Sequence, residues 1–162
     1  MLRLNRTTEY GLIALRHMNQ KNGAGQTTEK LTSAREISDT YGLPFEITAK
    51  TLQRLKELGL IQSTQGARGG YMIDRPLTSV NLGQFIEWME GSTAIVSCVE
   101  HKATSVCEYQ QRCDIQHLMS GLNTKVYGFL SGITLFDFLA APNGNKLSAQ
   151  SASERTPNYA AS

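Results

Sequence analysis

Between residues 33 and 59 two short amphipathic segments meet at Gly42-Leu43-Pro44, and no other feature constrains the fold as strongly. Ser33 and Glu36 form a capping-box pair that opens a helix running to about Tyr41. Gly42 ends it. Pro44 suits the first turn of the next helix, whose C-cap is Gly59. Within that second segment Leu52, Leu55 and Leu58 are spaced for one buried stripe. Glu46, Ala49, Lys50, Gln53 and Glu57 occupy the opposite face, with Arg54 and Lys56 at its flanks. Helix, tight turn, and helix with an exposed polar stripe is a helix-turn-helix.

Two strand-like runs follow, Leu60–Thr64 and Tyr71–Ile73, separated by Gln65-Gly66-Ala67-Arg68-Gly69-Gly70. A glycine-rich loop between strands directly after a helix-turn-helix reads as a wing. Its glycines permit positive φ and close approach to another backbone. Before the break, Tyr10, Leu12, Ile13, Leu15 and Met18 suit a helix over residues 7–21, with Thr7 or Thr8 as N-cap, and Leu31-Thr32 suits one short strand. After Pro76, Asn81 and Gln84 open another helix that ends at Gly91. Residues 92–113 lack periodicity. From Asp114 to about Ser131 a helix returns, with Leu118, Leu122, Val126, Phe129 and Ile133 forming a seam like that of a short coiled coil.

Composition adds an asymmetry. The 162 residues carry sixteen Lys and Arg against fourteen Asp and Glu, a net charge of only +2. Residues 1–75 hold eleven basic against seven acidic residues, net +4; the remainder holds five against seven, net −2. A basic half suits attraction to a polyanion. No run approaches the ~18–20 apolar residues that would span a bilayer, and no signal peptide opens the chain, so a cytoplasmic location is expected.

The helix after the break would present its N-terminal half to a major groove, offering Glu46, Thr48, Ala49, Lys50 and Gln53, with Arg54 beside them. Gln pairs well with adenine, and Lys with guanine or phosphate. Arg68 at the wing tip, beside Gln65, has the reach to enter a minor groove. Arg3, Arg6 and Arg35 are candidates for phosphate contacts. The alternative is a winged helix that acts through protein contacts.

All three cysteines fall in the aperiodic stretch, as Cys98-x8-Cys107-x5-Cys113. Disulfides are unexpected in a reducing cytoplasm, and Cys-x-x-Cys pairs typical of structural zinc are absent. Three soft thiolates can hold an iron–sulfur cluster if a fourth ligand is found. Glu108, Asp114 and His117 lie nearby. Zinc binding or thiol oxidation are the alternatives. No P-loop, nucleophile elbow or dinucleotide fingerprint is present, so an enzyme is not expected. A Cys113–His117 nucleophile pair is the one arrangement to set beside that.

Together these marks resemble the IscR/NsrR/RirA family of bacterial winged-helix transcription regulators. They run from Leu4…Glu9-Tyr10-Gly11 through Arg35-Glu36-Ile37-Ser38, Leu55-Lys56-Glu57-Leu58-Gly59-Leu60-Ile61 and Gly66-Ala67-Arg68-Gly69-Gly70-Tyr71 to Gly128-Phe129-Leu130. The resemblance implies a homodimer paired through the long helix after Cys113, and an iron–sulfur cluster on Cys98, Cys107 and Cys113 controlling operator binding. The gap of five residues matches the family; the gap of eight is longer than in most members. Members of the IscR type place a His three residues after the third Cys, where this chain has Gln116, with His117 one further on. In NsrR-type members an acidic residue of the first helix reaches the cluster from the partner subunit, and Glu9 holds that position. Gln65 stands where many members carry Arg, and Ala49 where the IscR type has Glu.

The expected fold is therefore mainly α. A winged helix-turn-helix occupies residues 1–76, a cysteine-bearing sensor loop and dimerisation helix residues 77–140, and a disordered tail residues 141–162. The expected function is DNA-binding transcriptional regulation, controlled by a [2Fe-2S] or [4Fe-4S] cluster on Cys98, Cys107 and Cys113. Glu9 in trans is the fourth ligand, and His117 the second choice. The expected partners are a palindromic double-stranded operator and a second copy of the chain, with no membrane.

Overall fold

A computed structural model of the chain describes residues 4–22, 31–66, 69–92 and 112–140. Among them are six α-helices, a two-stranded sheet and one short 3-10 turn, Leu77–Ser79, which precedes α4. The order is α1 (Arg6–Asn22), α2 (Ala34–Tyr41), α3 (Phe45–Glu57), β1 (Ile61–Thr64), β2 (Gly70–Ile73), α4 (Leu82–Glu90), α5 (Gln116–Ser131) and α6 (Leu135–Ala140). This is the mainly helical winged-helix architecture expected. Cys98, Cys107, Arg68 and the tail lie outside the described residues.

The tight turn forms because Gly42 adopts φ +65°, which lets Leu43 N–H reach the Ser38 carbonyl at 2.9 Å. The Ser38 hydroxyl then donates to the Leu43 carbonyl at 2.7 Å and closes the corner. At the far end of α3 the helix stops at Glu57, with Leu58 as cap and Gly59 at φ +68° just beyond it. Leu60 N–H returns to the Leu55 carbonyl and Gly59 N–H to that of Lys56, which is a Schellman closure. The chain leaves it directly into β1.

The wing strands are antiparallel, with Ile61 opposite Ile73 and Thr64 opposite Gly70. Thr32 adds one bridge to Tyr71, which is all that forms of the strand expected at Leu31-Thr32. Asn81 and Gln84 make the full capping box of α4. Two expectations are corrected. Asn5, not Thr7 or Thr8, caps α1, since its Oδ1 accepts from Thr8 N–H at 2.9 Å. The α5 seam ends at Phe129, because the chain turns after Ser131 and Ile133 packs against the core instead.

The helix α6 was not expected. Thr134 caps it by accepting from Asp137 N–H at 3.0 Å, and it buries Leu135 and Leu139. One hydrophobic core joins these residues to Leu15, Met18, Ile37, Leu52 and Leu55 from before Pro76 and to Phe85 and Ile86 after it. By contrast, α5 buries none of its residues. Ile115, Leu118, Leu122 and Phe129 stand exposed in the single chain, Phe129 at 65%.

Candidate nucleic-acid interface

The buried face of α3 is Thr48, Thr51, Leu52 and Leu55. This anchors the helix, so that Glu46, Lys50, Gln53 and Glu57 are exposed along the outer face, with Ala49 half-buried between them. Thr48, expected among the DNA-reading residues, is corrected. It is 1% exposed, and its hydroxyl donates back to the Pro44 carbonyl at 3.0 Å. Thr48 stands four residues before Leu52 and seven before Leu55, on the apolar stripe itself.

Arg54 is exposed but already occupied. Its Nη2 donates to the Trp88 carbonyl of α4 at 3.0 Å, and its Nη1 lies 3.5 Å from Glu57 Oε2. It ties the reading helix to α4. A pair not anticipated from sequence lies at the other end of α3, where the Arg35 guanidinium sits 4.6 Å from the centre of the Phe45 ring. That stacking holds a cation from α2 beside the entry to the reading helix.

In the wing, Gly66 has φ +122°, and a Cβ at Gly69 would collide with the carbonyl oxygen of Thr64. Gly69 N–H donates to the Gly66 carbonyl at 2.8 Å, which makes the turn tight. Gln65 is exposed at its start. Between the wing and α3 runs a cleft of about 460 Å³, lined on one side by Gln53, Lys56 and Glu57 and on the other by Ser63, Thr64 and Gln65.

Behind the reading helix, α1 and α2 are joined by a polar cluster around Glu36. Lys21 Nζ lies 2.7 Å from Glu36 Oε1 and 2.8 Å from Oε2, while His17 Nε2 lies 3.0 Å from Oε1. His17 Nδ1 is 3.2 Å from the Tyr41 hydroxyl. Burial would raise the Glu36 pKa, but the hydrogen bonds from Lys21 and His17 and their charges prevail, and it lies below the ordinary carboxylate value.

Of the proposed cluster ligands, Cys113 is described. It is a free, half-buried thiol three residues before α5. Cys98 and Cys107 lie outside the described residues, which hold no group of three or more His, Cys, Asp and Glu placed for a metal ion. Glu9 is exposed in the first turn of α1, and His117 in the first turn of α5; neither side chain has a hydrogen-bond or ion-pair partner among the described residues. No described helix is long and apolar enough to cross a membrane.

The model of the Rrf2 family, described as an iron-dependent transcriptional regulator, matches residues 4–141. The chain belongs to the Rrf2 family. Among its relatives, the transcriptional repressor NsrR of Streptomyces coelicolor is 26% identical over 139 residues, covering 86% of this chain and 91% of that one. The regulator NsrR of Halalkalibacterium halodurans is 26% identical over 138 residues, covering 85% and 90%. Among solved structures, CymR, the global cysteine regulator of B. subtilis, has a TM-score of 0.67 at 24% identity and covers 86% of this chain and 98% of its own. IscR of T. potens has a TM-score of 0.60 at 21% identity, covering 86% and 87%. The two solved structures establish the winged-helix fold. As an Rrf2 protein the chain is a DNA-binding transcription regulator and not an enzyme.

Proposed function

We propose that this Rrf2 protein is a cytoplasmic homodimer that binds a palindromic operator, with an affinity set by an iron–sulfur cluster of [2Fe-2S] or [4Fe-4S] type. Cys98, Cys107 and Cys113 hold the cluster, and Glu9 of the partner subunit completes its coordination, with His117 as the second candidate. The outer face of α3, through Glu46, Ala49, Lys50 and Gln53, lies in the major groove, and the wing, through Gln65 and Arg68, reaches the minor groove.

The observation that carries this reading is the placement of three cysteines in one short segment between the winged helix and α5, in a chain whose family is iron-dependent. The donors fit the group. Thiolates are the soft ligands that iron–sulfur clusters take, and among the described residues neither the Cys113 thiol nor the Glu9 carboxylate has a partner. A cluster held there would supply a group whose loss or chemical attack changes what Cys98, Cys107, Cys113 and Glu9 hold together.

The chain's own residues supply the link to DNA. The cysteine segment leaves from the last turn of α4. In that turn the Trp88 carbonyl accepts from Arg54 of the reading helix, and Glu90 accepts from Thr8 of α1, beside Glu9. A displacement of that turn reaches the reading helix through Arg54. Half-sites spaced by one helical turn make dimer affinity sensitive to such shifts.

Anaerobic purification tests the reading. A brown protein with visible absorption, iron and acid-labile sulfide, whose operator affinity changes when the cluster is removed, supports it. A colourless protein that binds zinc, or whose DNA affinity follows thiol oxidation, replaces the cluster with that chemistry. Glu9→Ala with no effect on the spectrum or lability of the cluster, while His117→Ala changes both, moves the fourth ligand to His117. Absence of any salt-dependent DNA affinity returns the winged helix to protein contacts.

A further inference from the structure

The cleft between α3 and the wing adds a contact set beside the base-reading face of α3, with Gln53 at the border of the two. Its lining is rich in donors. Lys56 contributes a charge from the last turn of α3, Ser63 and Thr64 contribute hydroxyls from β1, and Gln65 contributes an amide from the start of the wing loop. None of these four side chains has a hydrogen-bond or ion-pair partner among the described residues, and three of them are exposed. Donors with no partner among the described residues are available to an acceptor-rich ligand. The set holds one point charge and short flexible groups, which suits phosphate oxygens better than base edges.

Position selects the ligand. With α3 in a major groove and the wing in the neighbouring minor groove, one sugar–phosphate strand separates them, and the cleft runs between those two elements. The geometry points to this cleft as the seat of that strand, with Lys56 as its charged contact and no base read there. Glu57 lies in the same lining and opposes the phosphate charge, with only a 3.5 Å pair to Arg54 to offset it. It limits how tightly the cleft holds DNA of any sequence. The inference rests on the operator-binding reading above but assigns Lys56, Ser63 and Thr64, which that reading does not use.

The test measures binding of the full-length protein, in one fixed preparation, to two duplexes across a salt series from about 50 to about 200 mM. One duplex is an operator selected from a random pool; the other is a scrambled sequence of equal length. Lys56→Gln is expected to weaken both by the same factor and to lower the slope of log affinity against log salt by about 0.9. Glu57→Gln is expected to strengthen both equally. A Lys56→Gln variant that loses affinity for the operator alone, or keeps the wild-type slope on both duplexes, overturns the inference while leaving operator binding intact. If the unaltered protein binds neither duplex, the operator-binding reading fails and this inference with it. Far-UV circular dichroism of each variant establishes that the fold is retained, and Lys56→Arg restores the slope if charge alone is at work.

Discussion

The Thr8 hydroxyl donates to Glu90 Oε1 at 2.6 Å, and the same oxygen accepts Asn5 N–H at 2.8 Å. Thr8 is fully buried, and this contact fastens the start of α1 to the end of α4. Replacing the hydroxyl by a methyl group keeps the volume but removes the donor, so Thr8→Val is expected to cost about 1.5–3 kcal/mol, the range for hydrogen bonds to charged groups. Glu90→Gln keeps an acceptor oxygen and should cost less. Urea unfolding of both variants checks the order, and a Thr8→Val midpoint equal to that of the wild type would show that the contact adds nothing.

The Glu36 cluster predicts an acid limb in stability. The Glu36 pKa is lower in the folded chain, so the folded state binds fewer protons than the unfolded state in the range between the two values. Its contribution is therefore complete above the unfolded value of about 4.3 and is lost as pH falls through the folded one. Glu36→Gln should flatten that part of the curve and leave the neutral-pH difference at about 1 kcal/mol or less, because the carboxylate is partly exposed. Urea midpoints measured at several pH values between about 3 and 7 give the comparison.

What the sequence discloses follows how local the deciding interaction is. The break at Gly42-Leu43-Pro44, the Asn81–Gln84 box and the apolar stripe of α3 rest on contacts within a few residues, and each forms where the spacing predicts. Glu36 completes only half of the expected capping box, because Lys21 and His17 claim its carboxylate from another helix. Arg54 looks free in a helical projection and is taken by a carbonyl 34 residues away. Two other departures had local signals. Thr48 lies in register with Leu52, and Thr134 with Asp137 three residues on is a helix-start pattern that marks α6. The phosphate seat proposed for the cleft is not legible in the sequence for a nonlocal reason, since Lys56 and Ser63 share one cleft only after the wing folds back.

The wing depends on Gly69. A methyl group there meets the Thr64 carbonyl oxygen, which is backbone and cannot turn aside. Gly69→Ala is expected to displace the loop and weaken operator binding by roughly tenfold or more, the scale of one or two lost contacts. The core residues lie elsewhere, so the cooperative unfolding transition should persist with a modest shift. Operator affinity and thermal unfolding measured on the same sample decide it; unchanged affinity would mean that the wing does not touch DNA.

The exposed seam of α5 predicts the assembly. A 16-residue helix with no fully buried residue among those described gains little from its own chain and is only marginally stable in water by itself, yet Leu118, Leu122 and Phe129 point away from the core. Pairing with the same stripe of a second copy removes them from water and supplies the packing that α5 lacks alone. Leu122→Asp places a charge within that seam and is expected to convert a dimer into a monomer, with loss of helix content from α5. Lys125→Glu, an exposed change of charge on the same helix, serves as the comparison for a charge effect without loss of the apolar side chain. The monomer should also lose most of its affinity for a palindromic duplex, because the second half-site then binds without the advantage of linkage. Sedimentation equilibrium reads the assembly directly. A wild-type monomer, or a Leu122→Asp dimer of undiminished stability, would place the interface elsewhere.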